Sequence, residues 1–410
     1  MLVAPGPAGR NRVQCGPDDR GLLNGDVVTA LAADAEARLM SAAAAFRRDP
    51  ISYLRTEFRR QGGVFTLPDA VLCVADPAIA QEVLRDPEHH YGELSGFFQT
   101  SFGNLGPRTV QSTIGKQARQ LLRPQIAEPA TVRKALAPLG GEAAGWPAAG
   151  PVLAYEFFRQ ALLSEASPLH LHELLRSMVT DGMVMLTGPI PARLRRSFLR
   201  QRMLRLVERE IRRRQSGARI DSVDLLDLLI QAAPEACAGA IAEIYLLLFR
   251  SVTSAVGFTL GWALWLAGRW ERITDLPPAW VVKEGQRLFP TAWMFSRTGA
   301  REHTLGTRRV GVGDRVRVCP YLIHRHPQCW DEPDMFRPER WSGAPPHYAF
   351  MPFGSGPFAC TGASLVQAFA EVALHVFTED LRFSVVRSGE RPLVSALLVP
   401  PRFWLRLDPA

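Results

Sequence analysis

Residues 350–362 read FMPFGSGPFACTG, a frame Phe353-x-x-Gly356-x-x-x-Cys360-x-Gly362 that sets one cysteine behind an aromatic on a glycine-rich loop. Glycines at 354, 356 and 362 let the backbone turn tightly and approach something large and flat. The run that follows, ASLVQAFAEVALHVF (363–377), reads as a helix whose first N–H groups face the sulfur and favour its thiolate. Among common cofactors, haem takes a single cysteine ligand and needs this much room. The plainer alternative is an inert, buried thiol on an ordinary turn.

Two upstream stretches bear on that choice. Glu284-Gly285-Gln286-Arg287 places a carboxylate and a guanidinium one helical turn apart. Such pairs are common on surfaces and contribute little there. Further along, residues 324–341 read HRHPQCWDEPDMFRPERW, with Arg340 near the end. The second stretch is an apolar helix, IYLLLFRSVTSAVGFTLGWALWLA (244–267), carrying Phe249, Arg250, Thr253 and Ser254. A threonine in such a helix commonly bonds to its own backbone four residues back.

The order of these three elements resembles the cytochrome P450 family, from about residue 48 to 408 and most strongly over 284–365. The resemblance implies a mainly α fold with small β-sheets (α+β), a triangular-prism helical domain with haem between a long central helix and the cysteine loop. Residues 1–26 would be an irregular leader and 27–410 one domain. Cys360 would be the axial ligand of haem b, framed by Phe353, Gly354, Gly356, Phe358, Gly362 and, across the ring, Phe249. Arg119 and Arg297 would pair with the haem propionates. Thr253 would be the oxygen-activating hydroxyl, with Ser254 and Arg250 beside it. Glu284, Arg287 and Arg340 would form a buried structural cluster.

The chain also departs from the family pattern. Val252 stands where a carboxylate assists proton delivery, and Phe249 and Arg250 replace a small Ala-Gly pair. Arg250 must find water, a partner within the protein, or a substrate carboxylate. Phe358 stands where Arg or His is common, and Gly115 replaces a tryptophan one turn before Arg119. With two donors missing, looser anchoring of the haem is expected.

Composition narrows the classes. Apolar residues make up 47% of 410, enough for a large core, and the six cysteines contain no CxxC pair, against a disulfide framework or zinc site. The net charge of +8 comes largely from Ala192 to Arg219, where Leu199, Met203, Leu206, Val207 and Ile211 recur at helical spacing. Its arginines read as a solvated face rather than a nucleic-acid site. The N-terminal stretch lacks the apolar run of a signal peptide, and 244–267 reads as a buried helix, so a cytoplasmic protein without a membrane anchor is expected.

By analogy the chain is a monomeric bacterial monooxygenase. Its substrate would be a mid-sized apolar or aromatic secondary metabolite, one that could bear a carboxylate, and its electrons would come from a ferredoxin-type partner. Substrate contacts would come from Gly92–Ser112, 180–205, 291–296 and Ala396–Val399. The alternatives are an atypical haem-thiolate enzyme that uses peroxide, couples or rearranges, or a non-catalytic haem-binding partner protein.

Overall fold

The computed structural model describes residues 40–92, 96–127, 129–136, 144–180, 190–217, 223–270 and 275–409. The expected leader at 1–26 and parts of the substrate-contact stretches Gly92–Ser112 and 180–205 lie outside them. The molecule is mainly helical with small sheets. The helices used below are α1 (Pro50–Gln61), α2 (Pro77–Arg85), α3 (Arg108–Leu122), α4 (Pro129–Leu136), α5 (Ala149–Leu162), α6 (Leu169–Thr180), α7 (Ile190–Gln215), α8 (Leu225–Ala232) and α9 (Ala238–Arg250). A π turn at Ser251–Ala255 then leads into α10 (Val256–Ala267), followed by α11 (Pro278–Leu288), α12 (Pro320–Ile323) and α13 (Ala363–His375). Helix starts carry their own signals: Asp49 and Asp76 accept first-turn N–H bonds just before a proline, and Asp224 caps α8.

Four short strands form one sheet in the order β1 (Val64–Thr66), β2 (Leu72–Val74), β9 (Arg315–Val318), β6 (Phe295–Thr298). β1 and β2 are the hairpin that alternation at 63–77 predicts, and β9 joins β2 in parallel with Cys73 opposite Arg317. β6 runs antiparallel to β9, so alternation turns Phe295 and Arg297 to the less exposed face and Ser296 and Thr298 outward. A second sheet pairs β10 (Leu381–Ser388) with β13 (Phe403–Pro409), and β13 with β5 (Ala144–Trp146). β5 lies in a stretch that reads as a loop. It is too short to show a period, and Trp146 earns its place by stacking on Phe403, centroids 5.8 Å apart.

The α9–α10 rod is apolar on every side, which fits a helix enclosed by others. By length and hydropathy Ala238–Ala267 could cross a membrane, yet 56% of its most apolar window is buried inside the molecule. It crosses α5 at glycines: a Cβ on Gly257 would meet the Gly150 carbonyl oxygen at 2.6 Å. On α7, Met203, Val207 and Ile211 are buried and Arg202, Arg205 and Arg212 exposed. Arg214 departs from the expected solvated face. It is buried, with Nη1 2.7 Å from Asp224 Oδ1 and Nε 2.9 Å from Glu210 Oε1. Those carboxylates offset its desolvation and raise its pKa, tying α7 to the start of α8.

The glycine crossing gives a direct test. Gly257→Val should force α10 away from α5 and cost about 1–3 kcal/mol, as overpacking does. The expected outcome is a lower urea midpoint with unchanged slope.

Candidate active site

Cys360 lies between the 3-10 turn Gly356–Phe358 and α13. Its N–H donates to the Phe353 carbonyl at 2.9 Å, closing the loop on itself. Gly354 and Gly356 have φ of 75° and 71°, and a Cβ on Gly356 would meet the Leu84 carbonyl oxygen at 2.6 Å. Glycine is therefore required at 356 both by conformation and by the close approach of α2. Cys360 is exposed to water although protein packs closely around it, the setting of a residue that lines a recess. Desolvation pushes its thiol pKa up, opposed by the Gly362 N–H. The expected preference for thiolate thus does not hold for the bare thiol, because burial outweighs the amide. A bound metal cation reverses that balance.

Behind the loop is a buried carboxylate. Glu284, fully buried on α11, accepts from Arg287 Nη2 at 2.8 Å and Nε at 2.9 Å. It also accepts from Arg340 Nε, Trp341 Nε1 and the Arg337 N–H, each at 3.0 Å. Arg287 spends its remaining donors on the carbonyls of His324, Pro333 and Met335 at 2.7–3.0 Å. His324 donates from Nδ1 to the Arg287 carbonyl at 3.1 Å and accepts the Met351 N–H at Nε2, 2.9 Å. With both nitrogens used this way the ring is neutral, and burial beside Arg287 holds its pKa down at about 3.

The sides of the long helix differ in burial and partners. Phe249 is fully buried, edge-on to Tyr155 of α5, centroids 5.8 Å apart. Thr253, 1% exposed, donates its hydroxyl to the Phe249 carbonyl at 2.9 Å. Gly257, another turn along, is the residue pressed against Gly150. Phe249 and Thr253 thus lie on the side of the rod that packs against α5. Thr259 marks a different side, its hydroxyl 3.2 Å from that of Thr291. One turn back from Thr259 lies Ala255, and Ser251, Val252, Ser254 and Ala255 are all half-buried. Reading the phase back from Trp262, whose Nε1 donates to the Leu398 carbonyl at 3.0 Å, finds this side in the sequence. Arg250 is exposed, so its charge needs no buried counter-charge.

The wall beyond Thr259 is built from two segments that the sequence names. Leu398 N–H donates to the Thr291 carbonyl at 2.9 Å, and Trp293 Nε1 to the Ser395 carbonyl at 3.0 Å. At the N-terminal end of the rod, Ser101 binds Glu243 of α9 through its N–H and its hydroxyl at 2.9 and 2.7 Å. The loop around 101 is thereby fixed over α9. On the side nearer the cysteine, Thr361 presses on α3: a Cβ at Gly115 would meet its Oγ1 at 2.6 Å. No larger side chain fits at 115, which accounts for the missing tryptophan. Arg119, one turn on, points Nη1 at the Thr361 carbonyl, 3.4 Å away. Arg297 gives Nη1 to the Ser296 carbonyl at 3.0 Å, while its buried Nε has no acceptor.

Residues 269–402 match the profile of the cytochrome P450 family. Cyclooctatin synthase of Streptomyces melanosporofaciens is 29% identical over 218 residues, covering 45% of this chain and 48% of that protein. Pentalenene oxygenase of Streptomyces avermitilis is 27% identical over 202 residues, 46% of this chain and 45% of that protein. The chain spans about half the length of these curated relatives. Among solved structures, P450BioI in complex with an acyl carrier protein ligated to hexadec-9Z-enoic acid superposes with a TM-score of 0.71 at 14% identity, over 90% of this chain and 100% of that one. A zebrafish cytochrome P450 with progesterone gives 0.69 at 16%, over 87% and 98%. Residues 269–402 thus carry the cytochrome P450 profile, on a chain with the fold of the cytochrome P450 structures.

Proteins of this family bind haem through a cysteine thiolate. The residues present fit that group. Cys360 supplies one sulfur lining a recess, and the described residues hold no cluster of three or more His, Cys, Asp or Glu that would compete for a metal. Arg297 offers a buried donor without an acceptor.

The neutral His324 has a measurable consequence. Its pKa is about 3 in the fold against 6.5 as the ordinary value, so between those limits the unfolded chain binds the extra proton. Stability is then full above pH 6.5 and falls as pH drops towards 3, by about 2 kcal/mol between pH 7.5 and 5. Urea midpoints at those two pH values should differ more for the natural protein than for His324→Asn. For the carboxylate, Glu284→Gln should cost about 3–5 kcal/mol by stranding Arg287, read from the same unfolding curves.

Proposed function

We propose that this chain is a haem-thiolate monooxygenase that oxidises a mid-sized, apolar, terpene-type or aromatic secondary metabolite, with Cys360 as the axial ligand. The carrying observation is the Cys360 loop itself: a cysteine lining a recess, fixed by Gly354 and Gly356 and braced by α2 and α3. When bound, haem supplies the redox chemistry that inserts oxygen into an unactivated C–H bond. The chain's own residues do the remaining work. Phe353 and the Gly362 N–H hold the sulfur in place, and Arg297 offers its spare donor to a carboxylate of the cofactor. The apolar stretch of Val252 and Ala255, with Thr291 and Leu398 beyond Thr259, shapes a water-poor space for a hydrocarbon-rich substrate. The pentalenene oxygenase and cyclooctatin synthase among the chain's relatives support this reading. Electrons would come from a ferredoxin-type partner.

One observation favours a second reading, in which peroxide replaces oxygen and the electron donor. Residues 244–267 contain no Asp or Glu, and Thr253 spends its hydroxyl on the backbone. Proton delivery would then fall to Ser251, Ser254, water or the substrate.

The reduced protein should give the red-shifted carbon monoxide difference band of thiolate-bound haem, and Cys360→Ser should abolish it. A normal band in Cys360→Ser would end the assignment of Cys360. Turnover of terpene-type substrates with NADPH, ferredoxin reductase and ferredoxin, set against turnover with hydrogen peroxide alone, separates the two readings. On the first, Thr253→Val should change the rate less than about tenfold, below the range expected for loss of a catalytic acid–base group.

A further inference from the structure

Phe358 is the residue that replaces a basic side chain two positions before the cysteine, and the structure shows what surrounds it. The guanidinium carbon of Arg108 lies 4.6 Å from the centre of its ring, and that of Arg297 lies 5.0 Å from the same centre. Both distances fall within the range of cation–π contact. We propose that Arg108 and Arg297 together form the carboxylate-binding site for the haem, with Phe358 as the platform that holds both guanidinium groups. The inference rests on the haem-thiolate reading above and assigns a residue that the sequence pattern does not reveal.

Three observations carry it. First, two cations are gathered at one ring although like charges repel; Asp86 lies within electrostatic reach of Arg297 but forms no ion pair with it, so neither guanidinium is neutralised at contact distance among the described residues. An exposed cation–π contact contributes only about 0.5–1 kcal/mol, which does not by itself explain collecting two guanidinium groups. A dianion bound between them does. Second, Arg297 is partly desolvated, with Nε buried and lacking an acceptor. A carboxylate would complete it with a charge-assisted bond. Third, Arg108 is the first residue of α3, whose first turn contains no acidic side chain and whose Pro107 cap makes no side-chain bond. A cation there opposes the helix dipole, so its position costs the helix something and calls for a compensating anion. Arg119, expected in this role, is instead aimed at the Thr361 carbonyl, where it braces the loop after the cysteine.

The test compares haem with its dimethyl ester, which has the same macrocycle and iron but no carboxylates. Each is loaded into the natural protein, Arg108→Ala, Arg108→Gln, Phe358→Leu and a control, Arg123→Ala, an exposed arginine just past the end of α3. Release to a haem-scavenging apoglobin is followed by absorbance. The expected result is that Arg108→Ala and Arg108→Gln release haem about tenfold faster, Phe358→Leu does so too, and Arg123→Ala matches the natural protein. The ester should leave all of them at one common rate. If the Arg108 variants keep haem as long as the natural protein, the assignment is overturned. It is equally overturned if they release haem and ester with the same acceleration, since that outcome marks a structural role. If the natural protein takes up haem without the thiolate carbon monoxide band, the reading beneath the inference fails, and that failure is distinguishable from the other two.

Discussion

A carboxylate without solvent organises the proximal half of this molecule. Glu284 sits in the middle of α11, and every hydrogen bond it accepts comes from a residue that must be placed for the cysteine loop to form. Arg287 neutralises it and then distributes its other N–H groups to carbonyls of the irregular chain at 324, 333 and 335. That chain has no helix or sheet ladder of its own to satisfy its backbone, so the guanidinium does the work of secondary structure. His324 passes the order forward by receiving the Met351 N–H, just before the loop that carries Cys360. The thiol is thus connected through hydrogen bonds to a charge that water cannot screen.

Much of this was legible in the sequence because its geometry leaves few options. The frame around Cys360 requires glycine at 356, where φ is positive and α2 approaches. Glu284 and Arg287 stand at a spacing that aligns them on a helix. The rotational phase of the long rod was not legible. A helix apolar on all sides carries no stripe to orient it, and the π turn at 251–255 inserts a step that a regular period cannot anticipate. The resemblance assigns Thr253 and Phe249 to the cofactor side, and the packing of Gly257 on Gly150 sets them near α5. Arg214 escaped for a similar reason. Its burial depends on Asp224 and Glu210, and Asp224 belongs to the next helix.

The apparent losses in the sequence read differently once their surroundings are known. Gly115 is small because Thr361 occupies the space above it. Phe358 is apolar, yet it collects positive charge by offering the face of its ring. Function at this site is distributed between a side chain that carries charge and one that positions it.

The rod also shows a repeated device. Ser251, Thr253 and Thr259 each return a hydroxyl to the carbonyl four residues back, at 2.8, 2.9 and 2.8 Å, the first two within the π turn and the third just after it. Such bonds draw side chains against the helix and bend it. Bending of this rod is therefore favoured by small hydroxylated residues rather than by proline or a loop. A chain that exchanged these residues for valine or alanine could keep every apolar contact and still straighten the roof of its pocket. Substrate shape would then be selected by hydrogen bonds that never touch the substrate.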